Sequence, residues 1–296
     1  MPQNRVAVTH MGAIAGELLA SDQSASMMGV SSRGIFLRLQ ASWVLFLSYE
    51  QYRGPLTLNL GSERRGVSWP KQGAALYTYS GRKCILSTDL EIDYGVAESW
   101  QAPQLPGGLL SNEQSREVLQ QIIAELSRLG KTSALAGHLP GLLSRAVGED
   151  MPGETVSEML AALRQAMDGQ DAARIVAAVQ PLLGMGAGLT PSGDDLALGL
   201  VLALNRWGHV LAPNLHVSAL SQEVVRQAYT STTLLSANLI ECACWGQADE
   251  RLIIALDGIL SGSYDPALCA ASLASWGNTS GIDALVGMGL ALANIA

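Results

Sequence analysis

Between Met28 and about Asp89 the chain is written in short runs of aliphatic, β-branched and aromatic residues separated by glycine, serine and proline. Arg33–Leu39, Trp43–Glu50, Pro55–Leu60, Ala74–Tyr79 and Cys84–Leu90 each have strand length. Leu56-Thr57-Leu58-Asn59-Leu60 alternates apolar with polar, the period of a strand with one face on a core. Such runs, punctuated by turn residues, predict an antiparallel sheet or a small barrel.

Near residue 105 the period changes. Gln101–Leu109, with Pro103, Pro106, Gly107 and Gly108, is the candidate linker. Beyond it Ser111 and Gln114 have capping-box spacing, and Val118, Ile122, Ile123, Leu126 and Leu129 recur on one helical face up to Gly130. Further helices are predicted at about Glu154–Met167, Asp171–Gln180, Asp194–Trp207, Leu220–Trp245, Asp249–Leu260 and Gly281–Ala293. The fold class expected is therefore α+β: an antiparallel β-rich domain over residues 1–105, then a mostly α-helical domain over residues 106–296.

Composition narrows the class of protein. A chain of 296 residues that is 48% hydrophobic and 15% charged can bury a real core and is not disordered. Its 18 basic residues against 26 acidic ones, a net charge of -8, argue against a nucleic-acid partner, which would need a basic face. Mean hydropathy is +0.22. Even so, the longest apolar stretches, Leu196–Leu204 and Ile282–Ala296, fall short of the roughly 20 residues that cross a bilayer. They read as buried helices, and the apolar surplus points to a subunit or domain interface. Met1–His10 lacks the pattern of a secretory signal, so a cytoplasmic protein without a membrane partner is expected. The cysteines at 84, 242, 244 and 269 are too few and scattered for a disulfide framework, and Cys242 and Cys244 have no further ligands at zinc spacing. Buried thiols and no metal ligand set are expected. His10, His138, His209 and His216 are scattered, and no G-x-S-x-G elbow is present.

The chemistry-bearing feature is a repeat. Ser192-Gly193-Asp194-Asp195-Leu196-Ala197-Leu198-Gly199 and Ser280-Gly281-Ile282-Asp283-Ala284-Leu285-Val286-Gly287 share S-G-x-D-x-x-x-G, and Leu-Ala-Leu follows each in the same register. Each serine is placed to cap a helix whose aspartate sits in the first turn, where the helix dipole favours negative charge. Gly199 and Gly287, one turn beyond those aspartates, would let the two helices approach closely. The free N–H groups of both helix starts would then line one pocket. Gly184-Met185-Gly186-Ala187-Gly188-Leu189-Thr190-Pro191 leads into the first copy, and a glycine-rich loop before a helix is a common anion cradle. It lacks the lysine of a Walker loop and does not follow a strand, so neither nucleotide fingerprint applies. Two carboxylates would repel an anion unless a magnesium ion bridges them to it or they accept hydrogen bonds from an amide or carbamoyl NH2. A third polar stretch, Thr230–Asn238, interrupts the apolar pattern, with Thr233, Ser236 and Ala237 on one small face suited equally to packing and to ligand contact.

On these residues the chain resembles a bacterial family catalogued as a domain of unknown function that includes the AllH (YlbF) subunit of oxamate carbamoyltransferase, from anaerobic allantoin degradation. The resemblance is carried by Gly186-Ala187-Gly188-Leu189-Thr190-Pro191-Ser192-Gly193-Asp194-Asp195, by Thr233–Ala237, and by Gly277-Asn278-Thr279-Ser280-Gly281-Ile282-Asp283 with Gly287. It covers the helical half, and in the N-terminal part only Gly54-Pro55 matches locally. It implies a subunit that works with others, or as a homo-oligomer, to move a carbamoyl group from oxalurate to phosphate, giving oxamate and carbamoyl phosphate. No arginine and histidine set of a self-sufficient carbamoyltransferase accompanies the motifs.

The expected roles are catalytic for Asp194, Asp195 and Asp283. Contact with a small anionic carbamoyl or carboxylate metabolite is expected of Gly186, Gly188, Thr190, Ser192, Gly193, Thr233, Ser236, Asn278, Thr279, Ser280 and Gly281, with magnesium the candidate ion. Two rival readings are a non-catalytic subunit that senses a metabolite or scaffolds a complex, and a purely structural one in which both copies only cap helices at a tight crossing.

Overall fold

The computed structural model describes residues 4–61, 69–88, 90–144 and 155–292; Asp89, Glu154 and Ala293, which bound predicted elements, lie outside them. The chain is α+β and divides into two compact units, Met1–Pro103 and Gln104–Ala296.

The first unit contains strands β1 (Asn4–Gly12), β2 (Gln23–Ser31), β3 (Gly34–Leu39), β4 (Val44–Ser48), β5 (Thr57–Leu60), β6 (Ala75–Tyr79), β7 (Cys84–Leu86), β8 (Leu90–Asp93) and β9 (Glu98–Trp100), with a short helix α1 (Ala13–Leu18) after β1. Their order is β5-β4-β3-β2-β6-β7-β8-β1-β9, and β5 also pairs with β1, which closes the first eight into a barrel. The barrel is mixed. The hairpins are antiparallel, whereas β4 runs parallel to β5, and β1 runs parallel to β8 and β9. Alternation along a strand has the same period in either direction, so the sequence pattern carried the strands but not their polarity. The parallel step from β4 to β5 is held by Asn59, whose side-chain amide donates to the carbonyls of Glu50 and Tyr52 at 2.9 and 2.8 Å. Gly54-Pro55 lies on this crossover, where a Cβ on Gly12 would stand 2.2 Å from both carbonyl oxygens. The local match at Gly54-Pro55 thus sits at a close backbone approach.

The second unit is helical: α2 (Asn112–Arg128), α3 (Leu139–Ser144), α4 (Thr155–Asp168), α5 (Ala172–Val179), α6 (Ser192–Leu211), α7 (Val217–Ser231), α8 (Leu234–Cys244), α9 (Glu250–Ser261), α10 (Pro266–Ser275) and α11 (Ser280–Leu292). The capping box on α2 forms as its sequence predicts, between Ser111 and Gln114. The single helix expected over Leu220–Trp245 is instead two, broken at Thr232-Thr233. The Thr233 hydroxyl accepts from the Ser236 N–H at 3.1 Å and so caps a new helix, α8. Apolar periodicity runs through such a break because both helices face the same core.

α6 and α11 form the centre of this unit. From Gly193 to Leu204 and from Gly281 to Leu292 every residue is buried. A helix that is apolar all round must be enclosed by others, as these two are. Deeper in α6 the buried Arg206 pairs with Asp257 on α9 at 2.8 and 2.6 Å, and the Trp207 indole donates to the same carboxylate at 2.9 Å. No helix among the described residues is long and apolar enough to cross a membrane. Cys84, Cys242 and Cys269 are buried free thiols, and Cys244 is half-buried.

Candidate functional site

The two copies of S-G-x-D-x-x-x-G meet. A Cβ on Gly199 would lie 2.0 Å from the Ala284 carbonyl oxygen, and one on Gly287 would lie 2.0 Å from that of Leu196. Gly193 and Gly281, the second residues of α6 and α11, are pressed in the same manner against the carbonyls of Leu182 and Leu273, at 2.0 and 2.1 Å. Their N–H groups donate to Met185 and Trp276 at 2.9 and 3.1 Å. These two glycines are packing positions whose donors are spent within the protein.

The caps differ from the predicted ones. Pro191 occupies the N-cap of α6, Ser192 being the first helical residue, and its carbonyl accepts from the N–H groups of Asp194 and Asp195. Thr279 does the same for Ile282 and Asp283. Asp195 and Asp283 are therefore each the fourth residue of a helix, and the first-turn donors next to them are engaged rather than free. The remaining donors are in the loop. Among the described residues, the N–H groups of Gly186, Ala187, Gly188, Leu189, Thr190, Ser192 and Ser280 make no hydrogen bond. Gly186 (φ 116°) and Gly188 (φ 104°) hold the loop in a conformation that L side chains rarely adopt, and a Cβ on Gly186 would stand 2.8 Å from the Ser192 nitrogen.

The loop is tied at both ends. Asp194 accepts from the Gly184 N–H at 2.7 Å and from the Thr232 hydroxyl, so both its oxygens are used in positioning. The Thr233 hydroxyl donates to the Leu189 carbonyl at 2.7 Å and lies 3.1 Å from the hydroxyl of buried Ser236. The starts of α6 and α8 therefore border the loop, and Thr190 joins it to α11, its hydroxyl 3.3 Å from that of Ser280. Asn278 is exposed on the turn before α11.

Beneath the loop and this half-buried layer of hydroxyls lie the two carboxyls. Asp195 is 1% exposed and Asp283 0%. The helices exchange partners: Ser280 of α11, with Thr190, acts on Asp195, while Ser192 of α6, with Thr279 and Ser133, acts on Asp283. Burial pushes Asp195 up to about 8, helped by the negative charges of Asp283 and Asp194 and opposed by the two hydroxyls. Burial also raises Asp283, against its three hydroxyls. Those hydroxyls lie close enough to favour the charged forms, but around Asp283 none is aligned for a full hydrogen bond. Asp195 Oδ2 and both Asp283 oxygens have no hydrogen-bond partner among the described residues.

Sequence reasoning missed Ser133, and it gave Thr232, inside the polar stretch Thr230–Asn238, no role of its own in this arrangement. Ser133 lies between α2 and α3 and receives the Ala136 N–H at 3.0 Å, a turn-capping role with no local sign of its second neighbour, Asp283. No group of three or more His, Cys, Asp or Glu that could hold a metal occurs among the described residues.

A two-unit α+β chain with paired buried carboxyls below an exposed glycine-rich loop is the class that fold and site define. The family model described as oxamate carbamoyltransferase subunit AllH matches residues 182–292, from just before the loop to the end of α11. No curated protein and no solved structure matches the chain.

Proposed function

We propose that this chain is a subunit of a carbamoyl-transferring complex of the oxamate carbamoyltransferase type, and that the loop from Gly186 to Thr190 receives a small anionic carbamoyl or carboxylate metabolite. The observation that carries the reading is the run of loop N–H groups that make no hydrogen bond among the described residues, in a loop held by two positive-φ glycines and joined through Thr190 to buried carboxyls with unmet oxygens. Backbone N–H groups fixed in this way stabilise an oxyanion without reorganising, which is the main catalytic contribution the site offers. In the overall reaction a phosphate oxygen bonds to the carbamoyl carbon of oxalurate. The bond from that carbon to the oxamate nitrogen breaks, and the nitrogen takes a proton. Thr190, Ser192, Thr279 and Ser280 supply hydroxyl contacts to the anion, Asp195 and Asp283 are the candidate catalytic groups, and Asp194, Thr233 and Ser236 position the loop.

The test is a thermal-shift series on the full chain with phosphate, carbamoyl phosphate, oxamate and oxalurate, then turnover after reconstitution with partner subunits. At least one ligand is expected to raise the Tm of wild type and not that of Gly188→Val, and the variant complex should lose turnover. Absence of any ligand shift, together with full activity of the variant complex, would overturn the reading. One feature favours the non-catalytic alternative: among the described residues, no lysine, arginine or histidine acts on Asp195 or Asp283. A sensing subunit would show the ligand shift while the complex turned over unimpaired with the variant.

A further inference from the structure

Among the described residues, no cationic group acts on Asp195 or Asp283. Both are buried, three of their four oxygens lack a hydrogen-bond partner among the described residues, and the groups that act on them are hydroxyls and other carboxylates. Asp194, next in sequence to Asp195, shows the contrast, because both its oxygens are met by an N–H and a hydroxyl. Buried carboxylates are retained when something pairs with them, and orphaned acceptors on two facing helices call for a ligand that is positive and reaches both. The donor atoms gathered here are all oxygen: two carboxyls and the hydroxyls of Thr190, Ser192, Thr279, Ser280 and Ser133. An oxygen-only set selects a hard cation. Magnesium in particular is commonly held by only one or two carboxylates, with waters and substrate phosphate completing its octahedron. A third acidic residue is not required.

We propose that Asp195 and Asp283 together bind a magnesium ion, one carboxylate from each central helix, and that this ion seats the anionic metabolite. The second half of this rests on the anion-binding reading above; the first does not. The exchange of hydroxyls between α6 and α11 fits a shared ion, since each helix orients the ligand supplied by the other. The ion also removes the repulsion that two carboxylates would exert on a phosphate or carboxylate lodged in the loop.

The experiment uses the full chain stripped with chelator, magnesium chloride alone as the first probe, and Asp195→Asn and Asp283→Asn as variants. Calorimetric titration should show magnesium binding to wild type, with a concentration-dependent rise in Tm, and at least tenfold weaker binding in each variant. The variants' own Tm in chelator, expected to equal or exceed that of wild type, verifies that they fold. Phosphate affinity should rise at least tenfold when magnesium is present. Failure of magnesium to bind wild type, or equal binding to wild type and both variants, overturns the inference. Phosphate or oxamate binding that is the same in chelator and in magnesium also overturns it, and leaves the anion reading standing. Magnesium binding without any metabolite binding supports the ion site and removes the anion reading.

Discussion

Gly199 packs its bare Cα against the backbone of Ala284, and a methyl group there would lie 2.0 Å from the Ala284 carbonyl oxygen. Gly287 returns the contact on Leu196 one turn along the other helix. This crossing brings two aspartates, 88 positions apart in the chain, under one loop.

Gly199→Ala and Gly287→Ala should each destabilise the protein by about 3 kcal/mol, at the upper end of overpacking costs, because the obstructing atoms are backbone on buried helices. Gly246→Ala is the comparison. Its φ is 69° with nothing within 4 Å of an added Cβ, so only the left-handed strain applies, about 1 kcal/mol. Urea unfolding of the three variants checks the order.

Asp194→Ala should loosen the loop rather than abolish chemistry directly. It strands the Gly184 N–H and the Thr232 hydroxyl, and a hydrogen bond to a charged group contributes about 1.5–3 kcal/mol. Faster amide exchange across residues 184–190, with slow exchange kept in the interior of α11, is the expected pattern.

The raised Asp195 carboxyl makes stability depend on pH in a stated direction. In metal-free protein the folded state holds a proton on Asp195 up to about pH 8, while the unfolded chain releases it near the ordinary carboxylate value of 3.8. The folded state binds the extra proton between those values, so this contribution is fully present below about pH 4 and is lost as pH rises toward 8. Asp195→Asn keeps the neutral form throughout. Its Tm should exceed that of wild type at pH 8, with the margin closing as pH falls to 4; a margin that grows on acidification would contradict the assignment.

Asp257→Ala should cost about 3–5 kcal/mol, since it leaves Arg206 charged and buried with the Trp207 indole unmet. Replacing Arg206 and Asp257 together by methionine and leucine should recover much of that loss in chemical denaturation, because the penalty comes from a buried charge that has lost its counter-charge.

The change from strand-like to helical pattern near residue 105 was legible because both periods are local properties of the chain. So was the repeat at Ser192 and Ser280, whose spacing carries the close crossing at Gly199 and Gly287. Strand polarity in the barrel was not, since alternation reads alike in parallel and antiparallel pairs; for β4 and β5 it is the crossover held by Asn59 that sets it. Nor did local pattern separate Asp194 from Asp195. These neighbours have the same side chain but point along different directions of one helix, the first to Gly184 and Thr232, the second toward Thr190 and Ser280. The caps moved to Pro191 and Thr279 because each serine turned to the opposite helix, a partner that periodicity cannot name. Sequence records which faces are apolar and where a helix can start. Which buried groups share a site is decided only when α6 and α11 pack, since the exchange of Ser192 and Ser280 exists only across that contact.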